Sequence, residues 1–154
     1  MKHFTDLVNE ALHNVKELFP WDLEEQLQQT EKPLLLDVRE ADEYHAMHIK
    51  DSLWVPRGIL ESACEYDYDD TLPELVEARD RDVVVICRSG NRSVLAALTL
   101  HQLGYQKVFS LKTGLRGWND YELPLIDQQG NEVDIDAADE FFRSKLRPEQ
   151  RSPK

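Results

Sequence analysis

The stretch that most constrains this chain is Val83–Leu103, VVVICRSGNRSVLAALTLHQL. It opens on Val83-Val84-Val85-Ile86, a short, wholly apolar, β-branched run. Such a run, with no polar alternation, predicts a strand buried on both faces. It closes on Val94, Leu95, Leu98 and Leu103, apolar residues at helical spacing. Between them Cys87-Arg88-Ser89-Gly90-Asn91-Arg92 must turn the chain, with Ser93 placed to cap the helix. A cysteine therefore ends a buried strand, a tight loop follows, and a helix begins.

That order has a chemical consequence. The first N–H groups of a helix have no intrahelical partner and carry the positive end of its dipole. A tight loop of small and polar residues adds inward-facing amides, making a nest for an anion. Gly90 opens backbone angles closed to other residues, and Arg88 and Arg92 add positive charge. A thiol in such a setting favours its thiolate form and becomes a nucleophile. A free cysteine at a strand end also reads as a small core residue. Two arginines and a glycine in the next five positions weigh for the anion-binding loop.

Strands and helices alternate along the rest of the chain. Residues 3–19 carry Phe4, Leu7, Val8, Ala11, Leu12, Val15, Leu18 and Phe19 at i, i+3, i+4 spacing, which predicts one amphipathic helix stopped by Pro20. It would either fold onto the sheet or form a helix–helix contact between two copies. A short helix through Leu27 follows, with Asp22 and Glu25 as a capping pair. Strands are expected at 34–38, 52–55, 83–86 and 107–111. Further helices are expected at 40–47, 59–63, 72–79, from Gly114 onward and at 136–146. The pattern implies an α/β fold with a central, mostly parallel sheet flanked by helices. Ligands of such sheets bind at the carboxyl ends of the strands, where Cys87 sits.

Composition narrows the partners. The formal net charge of −12 disfavours nucleic acid and anionic membranes. An anion site survives on such a chain if its local donors outweigh an acidic surface screened beyond about 8–10 Å. No apolar run approaches the roughly 20 residues of a membrane span, and MKHFTDLVNEALHNV lacks the apolar core of a signal peptide. Two cysteines without a CxxC pair fit a reducing compartment, so a cytoplasmic location is expected. Cysteine and histidine spacings offer no zinc site, and neither metal nor cofactor is expected. The acidic, aromatic loop 65–70 reads as solvated surface or as a guide for a basic partner.

Three segments together resemble the single-domain rhodanese family of sulfurtransferases. They are VVVICRSGNRS with its following helix, LLLDVREADEYHAMHIKDSLWVPRG (34–58) and GYQKVFSLKTGLRGW (104–118). The resemblance spans roughly 20–124. It divides the chain into an N-terminal helical extension (1–19), a rhodanese domain (20–126) and a C-terminal turn, helix and loose tail (127–154). It implies that Asp37, Arg39 and His48 are structural and that the helix from Gly114 lies beside the active-site loop. It also implies a double displacement. The Cys87 thiolate takes the outer sulfur of a donor such as thiosulfate, becomes a persulfide, and yields that sulfur to a nucleophilic acceptor. That acceptor is cyanide in an assay, and a thiol or protein in the cell. The loop residues Arg88, Ser89, Gly90, Asn91, Arg92 and Ser93 would bind the donor, with both arginines orienting its oxygen-bearing end.

Two other activities use the same cysteine. Cysteine phosphatases and arsenate reductases place an arginine six positions after the cysteine; here that position is Ser93 and Arg92 comes one earlier. A sulfur-carrier or docking module would form the same persulfide and deliver it to one protein with weak thiosulfate turnover. A redox sensor would instead need Cys64 as resolving thiol, 23 positions away and in a helix-end setting.

Overall fold

The structure is a computed structural model and describes residues 1–153. Five strands form one all-parallel sheet in the order β1-β5-β4-β2-β3. These are β1 (Lys16–Leu18), β2 (Leu34–Asp37), β3 (Leu53–Trp54), β4 (Asp82–Ile86) and β5 (Lys107–Leu111). The helices are α1 (Phe4–Ala11), α2 (Pro20–Leu27), α3 (Ala41–Ala46), α4 (Leu60–Ala63), α5 (Pro73–Val76), α6 (Asn91–Gln102), α7 (Gly114–Asp120) and α8 (Ile135–Phe142).

The apolar run read as a doubly buried strand is β4, at the centre of the sheet. Its side chains alternate between two cores because successive residues of a strand face opposite ways. Val83 and Val85 join Leu34, Leu36, Leu60, Leu75, Val94 and Leu100 on one face. Val84 and Ile86 join Leu35, Leu111, Leu115, Trp118 and Phe142 on the other. Cys87 falls on the first face, in phase with Val83 and Val85.

The N-terminal segment departs from the expected single helix. α1 stops at Ala11, the next residues tighten through His13 N–H to Glu10 O and Asn14 N–H to Ala11 O, and Lys16–Leu18 pairs with Phe109–Leu111 of β5. Helical spacing is real over 4–11, where Val8 and Ala11 are buried and the helix packs on α6. Beyond it, β5 would otherwise be left with an open edge. Pairing that edge satisfies backbone groups that a longer helix would leave exposed. Pro20 accordingly opens α2 rather than ending a helix, and the cap is Phe19, without a side-chain bond from Asp22 or Glu25. α5 and α8 are shorter than the spans 72–79 and 136–146. α8 starts one residue early, on Asp134, whose side chain accepts from Ala137 N–H at 3.1 Å.

One ion pair fixes the carboxyl end of β2. Asp37 and Arg39 are both fully buried. Arg39 Nε donates to Asp37 Oδ1 at 3.0 Å, and Nη2 donates to Asp37 Oδ2 at 2.9 Å and to Met47 O at 2.7 Å. Trp54 Nε1–H donates to Arg39 O at 2.9 Å, adding β3 to the cluster. His48 is part of the same corner: its ring stacks on Tyr44 at 4.0 Å and Nδ1 lies 2.8 Å from Tyr44 O. Removing one member of such a pair leaves a buried charge uncompensated. Asp37→Ala should therefore lower the unfolding free energy in urea titration by about 3–5 kcal/mol.

Candidate active site

β4 delivers Cys87 to the carboxyl pole of the sheet, and the next residues fold over its sulfur. Gly90 adopts φ 94°, in the left-handed region, and α6 starts immediately after it. That turn brings two peptide amides onto the thiol: Gly90 N–H donates to Sγ at 3.1 Å and Ser93 N–H at 3.3 Å. Among the described residues, the amides of Ser89, Asn91 and Arg92 meet no acceptor, as expected for the first turn of a helix. Gly90, not Ser93, occupies the cap position. Because the glycine reverses the chain early, Ser93 is the third helical residue and its hydroxyl turns inward to the sulfur.

A chain of two hydroxyls backs the thiol. With a proton on sulfur, Cys87 donates to Ser93 Oγ at 3.2 Å, and Ser93 Oγ lies 2.7 Å from Ser110 Oγ on β5. All three residues are fully buried. If the thiol donates to Ser93 and Ser93 to Ser110, the last hydroxyl proton has no acceptor among the described residues. If the sulfur is ionised, Ser110 donates to Ser93, Ser93 donates to sulfur, and every donor is used. The arrangement thus lets three donors converge on Cys87 Sγ, two amides and one hydroxyl.

α7 closes the cradle from behind. Gly114 has φ 59°, and a Cβ there would lie 2.5 Å from both the carbonyl carbon and oxygen of Arg88. This close approach lets Leu115 N–H donate to Cys87 O at 2.9 Å and Arg116 N–H to Arg88 O at 3.0 Å.

The two arginines do not converge on the sulfur as the sequence suggests. Arg88 reaches α8, where Nη2 donates to Phe142 O at 2.6 Å. Arg92 pairs with Glu43 of α3, donating from Nη1 at 2.9 Å and Nη2 at 2.8 Å to the two carboxylate oxygens. Burial raises the Glu43 pKa, but the Arg92 hydrogen bonds, the Glu40 amide and the Arg92 charge outweigh it and hold the carboxyl below its usual range. The same hydrogen bonds raise Arg92 above its ordinary value, against its own desolvation, and the field of Cys87 adds to that rise. Ser89 is exposed, and Asn91 and Arg92 are partly so, forming the outer rim.

Glu43, Ser110 and Phe142 were not legible as site residues. Ser110 had a local signal, a lone hydroxyl in the apolar strand KVFSL. Glu43 stands in the acidic run EADEY, where nothing marks a partner 49 positions away. Cys64 lies buried in the core, a free thiol like Cys87. Burial pushes its pKa up, against a hydrogen bond with Tyr105 that lowers it. A cavity of about 380 Å³, lined by Lys32, Leu34, Arg81 and Trp118 among others, opens among residues preceding β2 and β4. It lies at the opposite pole from the sulfur.

Residues 21–121 match the family model described as a rhodanese-like domain. A sulfurtransferase of Allochromatium vinosum is 34% identical over 116 residues, covering 75% of this chain and 99% of that protein. Among solved structures, the polysulfide-sulfur transferase homodimer of Wolinella succinogenes superposes with TM-score 0.62 at 29% identity, over 81% of this chain and 88% of that one. A Rhodopseudomonas palustris protein of unknown function, described as a possible tyrosine phosphatase, superposes with TM-score 0.70 at 25% identity, over 80% and 94%.

Two measurements check the geometry. Gly114→Ala meets both the strain of positive φ and a backbone collision, so unfolding titrations should show a loss of about 2 kcal/mol or more. Glu43 has a depressed pKa in the folded state. Its contribution is complete above the unfolded-state value near 4.5 and is lost as pH falls through the lower folded value. The stability advantage of wild type over Glu43→Gln should therefore shrink as pH drops from about 5 to about 3.

Proposed function

This chain belongs to the rhodanese-like family, and from that premise we propose that it is a sulfurtransferase carrying sulfane sulfur as a persulfide on Cys87. The observation that carries the reading is the pair of amide donors on Cys87 Sγ, from Gly90 and Ser93. The Cys87 thiolate attacks the outer sulfur of a donor such as thiosulfate. The donor's S–S bond breaks, sulfite leaves with the bonding pair, and the transferred atom remains on Cys87. A nucleophilic acceptor then takes that atom and restores the thiolate, a ping-pong sequence.

The cradle's donors are peptide groups held by β4, α6 and α7. They need not reorganise as charge moves from one sulfur to the next, which is how preformed dipoles lower a barrier. Cys87 is fully buried, and Ser89, Asn91 and Arg92 form the more exposed rim beside it. In this reading Cys87 is the catalytic residue. Gly90 and Ser93 bind the sulfur through their amides, and Arg88, Ser89, Asn91 and Arg92 shape the mouth.

The acceptor is cyanide in an assay and a thiol or a protein in the cell, where the unbridged cysteines fit the reducing cytoplasm. The exposed Phe4 and Leu7 of α1 offer an apolar contact for a second copy. Phosphoryl chemistry has less support, although one structural neighbour is described as a possible phosphatase. Arg92 comes one position early for a phosphate-sized loop and is occupied by Glu43.

Intact-protein mass spectrometry tests the proposal. Excess thiosulfate or polysulfide should add one sulfur atom, cyanide should remove it, and Cys87→Ser should acquire none. A Cys87-dependent turnover of an aryl phosphate equal to that of sulfur donors would overturn it.

A further inference from the structure

Thiosulfate presents a charge problem to this site. It brings two negative charges to a sulfur that must itself be anionic to attack. A helix N-terminus supplies only about half a positive charge, so such a donor calls for a free cation at the mouth. The loop contains two guanidinium groups: one is neutralised by a carboxylate, and the other keeps its charge but is directed to a neutral carbonyl of α8. Arg92 is held by both oxygens of Glu43 at 2.8 and 2.9 Å. The pair is only 34% and 20% exposed, so water screens it weakly and its net charge is zero. Arg88 is turned to the carbonyl of Phe142 at 2.6 Å. Glu40, which caps α3, adds a further carboxylate whose field also reaches Arg92.

We propose that Glu43 is a specificity-determining residue that, by neutralising Arg92, biases the site toward sulfane sulfur borne on a thiol, a hydropersulfide, and against the thiosulfate dianion. The inference rests on the Cys87 persulfide reading. The favoured step is balanced without any further reactant. The Cys87 thiolate attacks the outer, protonated sulfur of R–S–SH, a new S–S bond forms, and the donor's S–S bond breaks. The donor then leaves as the thiolate R–S⁻, and Cys87 holds S–SH. One negative charge is present before and after, where thiosulfate would gather three. Arg92 in its paired state serves to shape the rim, and its charge becomes available only when Glu43 is lost.

The test compares thiosulfate with the hydropersulfide of an uncharged thiol, 2-mercaptoethanol, on the full chain, reading kcat/KM and the mass of the loaded protein. Wild type should favour the persulfide. Glu43→Gln should raise the thiosulfate-to-persulfide ratio of kcat/KM by about tenfold at low salt, the effect of one uncovered charge on a dianion at short range. The gain should lie in KM and fade as salt rises. Glu43→Gln/Arg92→Gln should return the ratio to the wild-type level. An unchanged ratio in Glu43→Gln, or an equal loss with both donors, would reduce Glu43 to a scaffold residue and overturn the inference.

Wild type alone gives a second reading, independent of how any variant folds. Its thiosulfate kcat/KM should stay flat or rise between about 20 and about 200 mM salt. A steep fall would reveal a net cationic mouth and refute the proposal. Failure of both donors to load wild-type Cys87 would instead refute the persulfide reading beneath it.

Discussion

Two peptide N–H groups donating to one buried sulfur are the interaction on which the site depends. Gly90 N–H and Ser93 N–H meet Cys87 Sγ at 3.1 and 3.3 Å. Both contacts exist only because the chain reverses within three residues of the strand end. That reversal needs a left-handed Gly90, where an added Cβ would come within 3.1 Å of Thr113 N. It also needs Gly114, whose missing side chain lets α7 approach the Cys87 and Arg88 carbonyls. The two glycines act as one device: the first turns the loop inward, and the second lets the next crossover seal it. Fixed peptide dipoles thereby take the place of a water shell around the buried sulfur.

Two of the salt bridges act together, the buried Asp37–Arg39 pair and the partly exposed Glu43–Arg92 pair, and the first positions the second. Arg39 bonds Asp37 at the end of β2 and Met47 O just beyond α3, so it brackets that helix at both ends. With α3 held against the carboxyl pole, Glu43 is presented to Arg92 on the loop. Buried pairs of this kind contribute little net stability against an apolar alternative. Their consequence here is geometric: an ion pair with no access to solvent decides where a partly exposed carboxylate meets the active-site rim.

Much of this was legible in the sequence because local pattern and tertiary demand agreed. Val83–Ile86 has the unbroken apolar character of a central parallel strand, and Lys107–Leu111 was bounded without error. Asp37 and Arg39, read as structural through the family resemblance, form the buried pair. The reading failed where a non-local contact decided. Residues 12–18 keep helical spacing, yet the open edge of β5 draws 16–18 into the sheet. Ser93 has the right residue type for a cap, but the left-handed Gly90 moved the cap three positions earlier. Nor could spacing show that Arg92 and Arg88 bond Glu43 and Phe142 O, partners 49 and 54 positions away.

A net charge of −12 and a loop whose amides converge on a sulfur pull in opposite directions. The contradiction dissolves when the scale of each field is considered. Surface carboxylates act through water and salt, and their influence decays over about 8 Å at physiological ionic strength. The amides of Gly90 and Ser93 act at contact distance, in a pocket that excludes solvent, where the same dipole is worth far more. Backbone donors also carry no counter-charge to be paired away, unlike Arg92, whose cation is cancelled by Glu43. The acidic surface therefore has little effect on the buried sulfur, which its backbone donors reach at contact distance. Burial by peptide dipoles and an acidic exterior are compatible, because contact-range donors and screened surface charges act on different length scales.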